Sequence, residues 1–161
     1  MFTKNFDSYA CDGDEITCDL PGGLKAVAKI EYDPDTGPPD ENSDCFWPTL
    51  EDVGGDINKL QAETIKANKV MRAWLDDEWC FVGVCVMVYG PEDDETGERD
   101  ELTEEYDHAL WGIECNYPDS DNSYLTELAN DLLADALRKL GEDDCAPAAR
   151  AAPEVAYAAA A

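Results

Sequence analysis

The sequence predicts an α+β domain in the order ββαββα, a four-stranded antiparallel sheet with two helices on one face. Three observations lead there. Leu24–Tyr32 alternates apolar and polar residues, Trp79–Tyr89 is apolar almost throughout, and two segments of about twenty residues carry helical periodicity. Each element follows from its own local chemistry.

Ile16–Leu20 and Leu24–Tyr32 flank Pro21-Gly22-Gly23 and read as a β-hairpin. Ala26, Ala28 and Ile30 fall on one side of the second arm, and Lys25, Lys29 and Glu31 on the other. Asp33–Asp44, with three prolines and five acids, is a loop. Phe46-Trp47 follows as an aromatic pair, expected to close the sheet over Trp79 and Phe81 rather than to anchor a partner. Ile57–Leu75 is the first helix, with Ile57, Leu60, Ala67, Met71, Trp74 and Leu75 inward and Lys59, Lys66, Lys69 and Arg72 across from them.

Trp79–Tyr89 has both alternating sets apolar, the pattern of a central strand covered on both faces. Gly90-Pro91 ends it. An acidic connection runs to Asp107, and Ala109–Asn116 returns as the fourth strand. Asp121–Leu140 is the second helix, capped by Ser120 or Asp121 and stopped by Gly141, with Leu125, Leu128, Leu132, Leu133 and Leu137 inward. Residues 1–141 form one domain, and residues 142–161 are an Ala/Pro-rich flexible tail.

Composition narrows the function. The 161 residues hold 38 Asp and Glu against 11 Lys and Arg, a formal net charge of -27. Such a chain repels nucleic acid and anionic lipid. No apolar run is long enough for a membrane span and no leader is visible, so a soluble, cytoplasmic protein is expected. Leu, Ile, Val and Phe make up only about a fifth of the residues, a fraction that borders on disorder. The aromatic and sulfur-bearing residues cluster in the periodic segments and restore a small core.

Seven cysteines with no two-residue spacing, and a single histidine, fit neither a zinc knuckle nor a dithiol motif. An odd count predicts reduced thiols, several of them buried. His108 precedes a strand with no catalytic turn around it and reads as a surface or strand-edge residue. No phosphate-cradling glycine loop is present. The expectation is therefore a protein that is not an enzyme and carries no cofactor. Asp33-Pro34-Asp35-Thr36-Gly37 and Asp119-Ser120-Asp121-Asn122-Ser123 have the oxygen spacing of a calcium loop but lack its glycine turn and its final glutamate. They support only an alternative, a divalent-metal-binding or structural accessory protein with no nucleic-acid competitor.

Acid is concentrated in one connection. Glu92, Asp93, Asp94, Glu95, Glu98, Asp100, Glu101, Glu104, Glu105 and Asp107 face Arg99 alone, while residues 57–72 carry four bases against Glu63. Like charge packed this way strains the compact state and exceeds what solubility requires. A duplex-like surface is one reason to keep it. A domain of this length is ~40 Å wide, and ~40 Å of duplex carries about 23 negative charges. The Glu92–Glu105 carboxylates are the expected contact with a basic nucleic-acid-binding protein. Asp33, Asp35, Asp40 and Glu41 form one secondary patch, and Asp76, Asp77 and Glu78 another. A salt-adapted haloarchaeal proteome is the rival reason, but Lys outnumbers Arg seven to four and cysteines are plentiful.

Ala73-Trp74-Leu75-Asp76-Asp77-Glu78-Trp79-Cys80-Phe81-Val82-Gly83-Val84 resembles a family of small acidic bacteriophage and prophage proteins without assigned chemistry. So do Leu110-Trp111-Gly112-Ile113-Glu114-Cys115, Tyr124-Leu125 and Ala129-Asn130. Asp14-Glu15-Ile16-Thr17-Cys18, Ala28-Lys29-Ile30-Glu31 and Gly37-Pro38-Pro39 look like that family's N-terminal part. The likeness spans most of residues 12–140. It implies a phage-encoded inhibitor of host defence, a DNA mimic of the anti-CRISPR or anti-restriction kind. The target would be a CRISPR effector or restriction enzyme in the host cytosol, with a homodimer as a further possibility.

Overall fold

Alternation along Lys25–Tyr32 separates a wholly apolar set from a charged one, and the architecture follows from that separation. The structure, a computed structural model, describes residues 1–144. Its elements are β1 (Glu15–Asp19), β2 (Lys25–Tyr32), a short helix α1 (Pro39–Asn42), α2 (Ile57–Leu75), β3 (Cys80–Glu92), β4 (Arg99–Glu101), β5 (Ala109–Cys115) and α3 (Ser123–Asp144). The protein is α+β with an antiparallel sheet, as expected.

The sheet runs β1–β2–β3, and β3 is long enough to hold two partners on its far edge. Cys80–Cys85 pairs with β5, and Tyr89–Glu92 pairs with β4. Between them Val86 N–H donates to the His108 carbonyl, and Val88 N–H to the buried Thr103 hydroxyl. Thus β4 and β5 act as one interrupted strand, and no backbone donor of β3 is stranded there.

Even-numbered residues of β2 and β3 build the core. Ala26, Ala28, Ile30, Val82, Val84, Val86 and Val88 meet Leu125, Ala129, Leu133 and Ala136 of α3. Each fully buried Val or Leu contributes about 1.5–3 kcal/mol. The small alanines let helix and sheet approach closely.

Several expectations are corrected. A third helix, α1, and an additional strand, β4, appear inside segments read as loop, and the acidic connection is therefore partly sheet. The two main helices do not share a face. Only α3 covers the core side, whereas α2 packs through Val70, Ala73 and Trp74 onto Trp79, Phe81 and Tyr117. Trp79 anchors that contact by donating its indole N–H to the Val70 carbonyl at 2.9 Å. Ile57 and Leu75, placed inward by periodicity, are 72% and 60% exposed. On the side away from α3 the central strand is covered only in part, Phe81 by the α2 cluster and Gly83 by Trp111, while Met87 and Tyr89 are half-buried. α3 does not stop at Gly141 but continues to Asp144, so the helix takes in the first residues of the expected tail; the rest of that tail, from Cys145 on, lies outside the described residues.

An unforeseen element is the N-terminal segment, which carries Phe2, Phe6 and Ala10 into the core. Three side chains spaced by four, two on α3 and one at its entry, hold its backbone. Asn130 accepts from Phe2 N–H at 2.8 Å, Thr126 accepts from Phe6 N–H at 3.0 Å, and Asn122 donates to the Ser8 carbonyl at 3.1 Å. The segment has no strand of its own, so this polar ladder satisfies it. Thr126→Val keeps shape but leaves the buried Phe6 N–H without a partner. The expected cost is about 1–3 kcal/mol, measured by urea unfolding, with no change of the denaturant slope.

Candidate partner-binding surface

The side of the sheet away from α3 carries the odd-numbered residues. Gly83 is the low point of this open face. A β-bulge in β5 sets Trp111 and Gly112 opposite it. A Cβ on Gly83 would lie 2.5 Å from the Trp111 ring, so only glycine lets the indole lie flat on the strand. Gly112 takes the positive φ of 73° that the bulge requires. Tyr106 stacks at a tilt on Trp111, with ring centroids 5.8 Å apart.

Beside these rings the open face is concave. Val27, Cys85, Met87 and Tyr89 form the floor of a groove of about 290 Å³, and Glu15, Glu31, Glu101 and Glu105 stand at its rim with Lys29 and Tyr106. Lys29 is bound to Glu31 at 2.9 Å, and that hydrogen bond raises its pKa. Interaction with the Glu31 carboxylate, and after it with Glu105, pushes the Tyr106 phenol up to about 12.

The structure distributes the expected contact residues unevenly. Glu92, Asp93, Asp94, Glu95, Glu98, Asp100, Glu101, Glu104, Glu105 and Asp107 are all exposed. Asp93 is also a turn residue. Its carboxylate accepts from Glu95 N–H, Thr96 N–H and the Thr96 hydroxyl, and the backbone donation from Thr96 leads in lowering its pKa. Arg99, the only base in this run, donates to the Gly23 and Gly90 carbonyls and reaches Glu92 at 3.4 Å. It clamps the β3–β4 hairpin and neutralises little else. From Asp93 to Asp107 no other acid is held in an ion pair among the described residues.

Of the secondary patches, Asp35 and the α1 residues Asp40 and Glu41 are exposed, with Asp40 accepting from the Trp47 indole N–H at 3.2 Å. Asp76, Asp77 and Glu78 follow α2, where Asp76 is paired with Arg72 at 2.8 Å and basic Lys69 lies near. Neither patch lines the groove. Phe46 packs edge-on against Trp47 and lines a hollow with Trp79 and Phe81.

Asp33 is withdrawn from the surface altogether, at 4% exposure. One oxygen accepts from Asp35 and Thr36 N–H, the other from the Thr36 hydroxyl and from Gly112 N–H at 2.9 Å. Burial alone raises its pKa, but these donors outweigh burial and hold it below the usual carboxylate range. With its lone pairs committed, Asp33 serves as a latch between the loop after β2 and the β5 bulge, not as a calcium ligand. A carboxylate with a depressed folded pKa stabilises at neutral pH, and this contribution is lost as pH falls through that folded value. Stability is therefore expected to drop below about pH 4. In Asp33→Asn this part of the acid transition should vanish, with a neutral-pH cost of about 1–3 kcal/mol; calorimetry across pH measures both.

In the other loop read for calcium, Asp121 accepts from Ser123 N–H at the start of α3, and Asp119 holds Lys69 at 2.9 Å. Among the described residues no three His, Cys, Asp or Glu side chains gather to hold a metal. His108, expected as a surface or strand-edge residue, stands just before β5 and is 4% exposed, with Nδ1 3.4 Å from Asp135. Cys11, Cys18, Cys45, Cys80, Cys85 and Cys115 are free thiols. No helix among the described residues is long and apolar enough to cross a membrane.

Sequence reasoning missed Glu15 and Glu31, the two rim carboxylates outside the acidic connection. Their signal was parity. Glu31 alternates with buried Ile30, and Glu15 pairs in register with Lys29, so both had to face away from the core. Comparison of the chain with protein-family models, with curated proteins and with solved structures finds no match.

Proposed function

We propose that this protein is a non-enzymatic, phage-encoded inhibitor that occupies the nucleic-acid site of a host defence protein, a CRISPR effector or restriction complex. The observation that carries this reading is the exposed, unpaired carboxylate surface from Asp93 to Asp107, continued across the open face by Glu15 and Glu31. Lys29, Lys66, Lys69, Arg72, Arg99, Arg138 and Lys139 are each bound to a carboxylate. Apart from Lys29, which pairs with Glu31 on this face, these bases neutralise acids elsewhere and leave the Asp93–Asp107 surplus uncompensated. Such a field steers association with a cationic cleft and competes with the polyanion that normally fills it. The phage origin and the class of target rest on the family resemblance.

The test is capture of host lysate on the immobilised chain at low salt, with a rising salt gradient. DNA-binding defence proteins are expected to elute together within the gradient, and the eluted protein should lose its DNA when the chain is added back. Captured proteins that keep their DNA in the presence of excess chain would refute the reading.

A further inference from the structure

We propose that the open-face groove receives an arginine side chain of the basic partner protein, with its methylene stem on Met87 and Val27 and its guanidinium among Glu31, Glu101 and Glu105. This rests on the reading above and names the chemistry of its contact.

The groove differs from the exposed acidic hairpin in having an apolar floor. A small inorganic cation or a fully hydrated ammonium gains nothing from Val27, Cys85 and Met87. A long side chain that is apolar along its length and charged at its end matches both surfaces at once. The volume of about 290 Å³ is at the small end for a ligand site, which suits one side chain and not a cofactor. Glu31, Glu101 and Glu105 line the same groove beside Tyr106, so several carboxylates already stand where a planar fork of donors would approach. Tyr89 and Tyr106 add aromatic surface on which a guanidinium, weakly hydrated and flat, stacks better than an ammonium does. Lys29 is turned to Glu31 and leaves the rim negative overall. A DNA-binding cleft displays arginines aimed at phosphates, and this groove offers one of them a drier, bidentate site. An aromatic-lined pocket for a single arginine is the kind of contact that dominates an interface.

The experiment titrates the full chain with a blocked tetra-arginine peptide, a tetra-lysine peptide and spermidine at low salt, followed by NMR and calorimetry. The expected result is that tetra-arginine moves the Met87 methyl and the Tyr89 and Tyr106 ring signals. It should bind about tenfold more tightly than tetra-lysine. Met87→Lys, which places a cation on the floor, should remove the groove shifts. If that variant unfolds, Glu101→Gln with Glu105→Gln should weaken tetra-arginine about tenfold. The charge-matched Glu127→Gln with Asp131→Asn, on the exposed side of α3, should weaken it less than twofold. Shifts confined to the Glu92–Arg99 hairpin, or equal groove shifts with spermidine, would overturn the arginine site. Groove shifts that fail while the chain still displaces DNA remove this inference alone. Groove shifts without DNA displacement keep the arginine site and remove the inhibitory reading.

Discussion

Replacing Asp94, Glu101, Glu104 and Glu105 with lysine is expected to abolish displacement of DNA, weakening the partner complex more than about a hundredfold at low salt. These four are exposed and hold no ion pair, so reversal changes the field without removing a structural bond. Asp93 is left alone because its carboxylate closes the turn to Thr96. The same variant should be more resistant to heat than the parent chain, since self-repulsion falls as the net charge of -27 is reduced. Opposite movements of binding and stability separate a lost contact from a lost fold. Circular dichroism, a melting curve and a DNA-competition titration read the outcome. Undiminished competition by the reversed variant would mean that the carboxylates are not the contact.

The second large effect concerns Asn122, which is fully buried at the entry to α3. Its amide accepts from Asn116 N–H at 2.9 Å and donates to the Asn116 side-chain oxygen at 2.7 Å and the Ser8 carbonyl at 3.1 Å. Its φ of 59° lies in the left-handed region, which asparagine tolerates better than most residues. Asn122→Ala removes all three bonds and adds backbone strain. The expected loss is about 3–4 kcal/mol in urea unfolding. Asn122→Gly removes the bonds without the strain and should recover about 1 kcal/mol of that loss. A loss below about 1 kcal/mol for the alanine variant would show that the N-terminal segment contributes little to the fold.

The sheet was largely legible because period-two alternation reports directly which side of a strand is dry. β2, β3 and β5 lie within a few residues of their expected positions. What periodicity could not report was the number of faces a helix covers. β3 reads as apolar on both sides, yet Met87 and Tyr89 line an open groove, because an apolar residue serves equally as core or as the floor of a concavity. α2 misled for a related reason. Its apolar residues follow a helical stripe, but the helix lies at the edge of the sheet and buries only the turn around Ala73. The Phe2, Phe6 and Ala10 segment was invisible because its order comes from side chains more than a hundred positions away on α3. Asp33 looked like every other acid in an acidic loop, and only the bulge at Gly112 shows why it must be buried.

DNA and this chain should exclude each other from the host protein, and one titration measures that exclusion most directly. A labelled DNA duplex bound to the captured host protein is titrated with this chain while fluorescence anisotropy is followed. Anisotropy should fall all the way to that of free DNA, at a chain concentration that rises in proportion to the competing DNA and rises steeply with salt. A plateau above the level of the DNA complex, the mark of a ternary assembly holding both ligands, would contradict it.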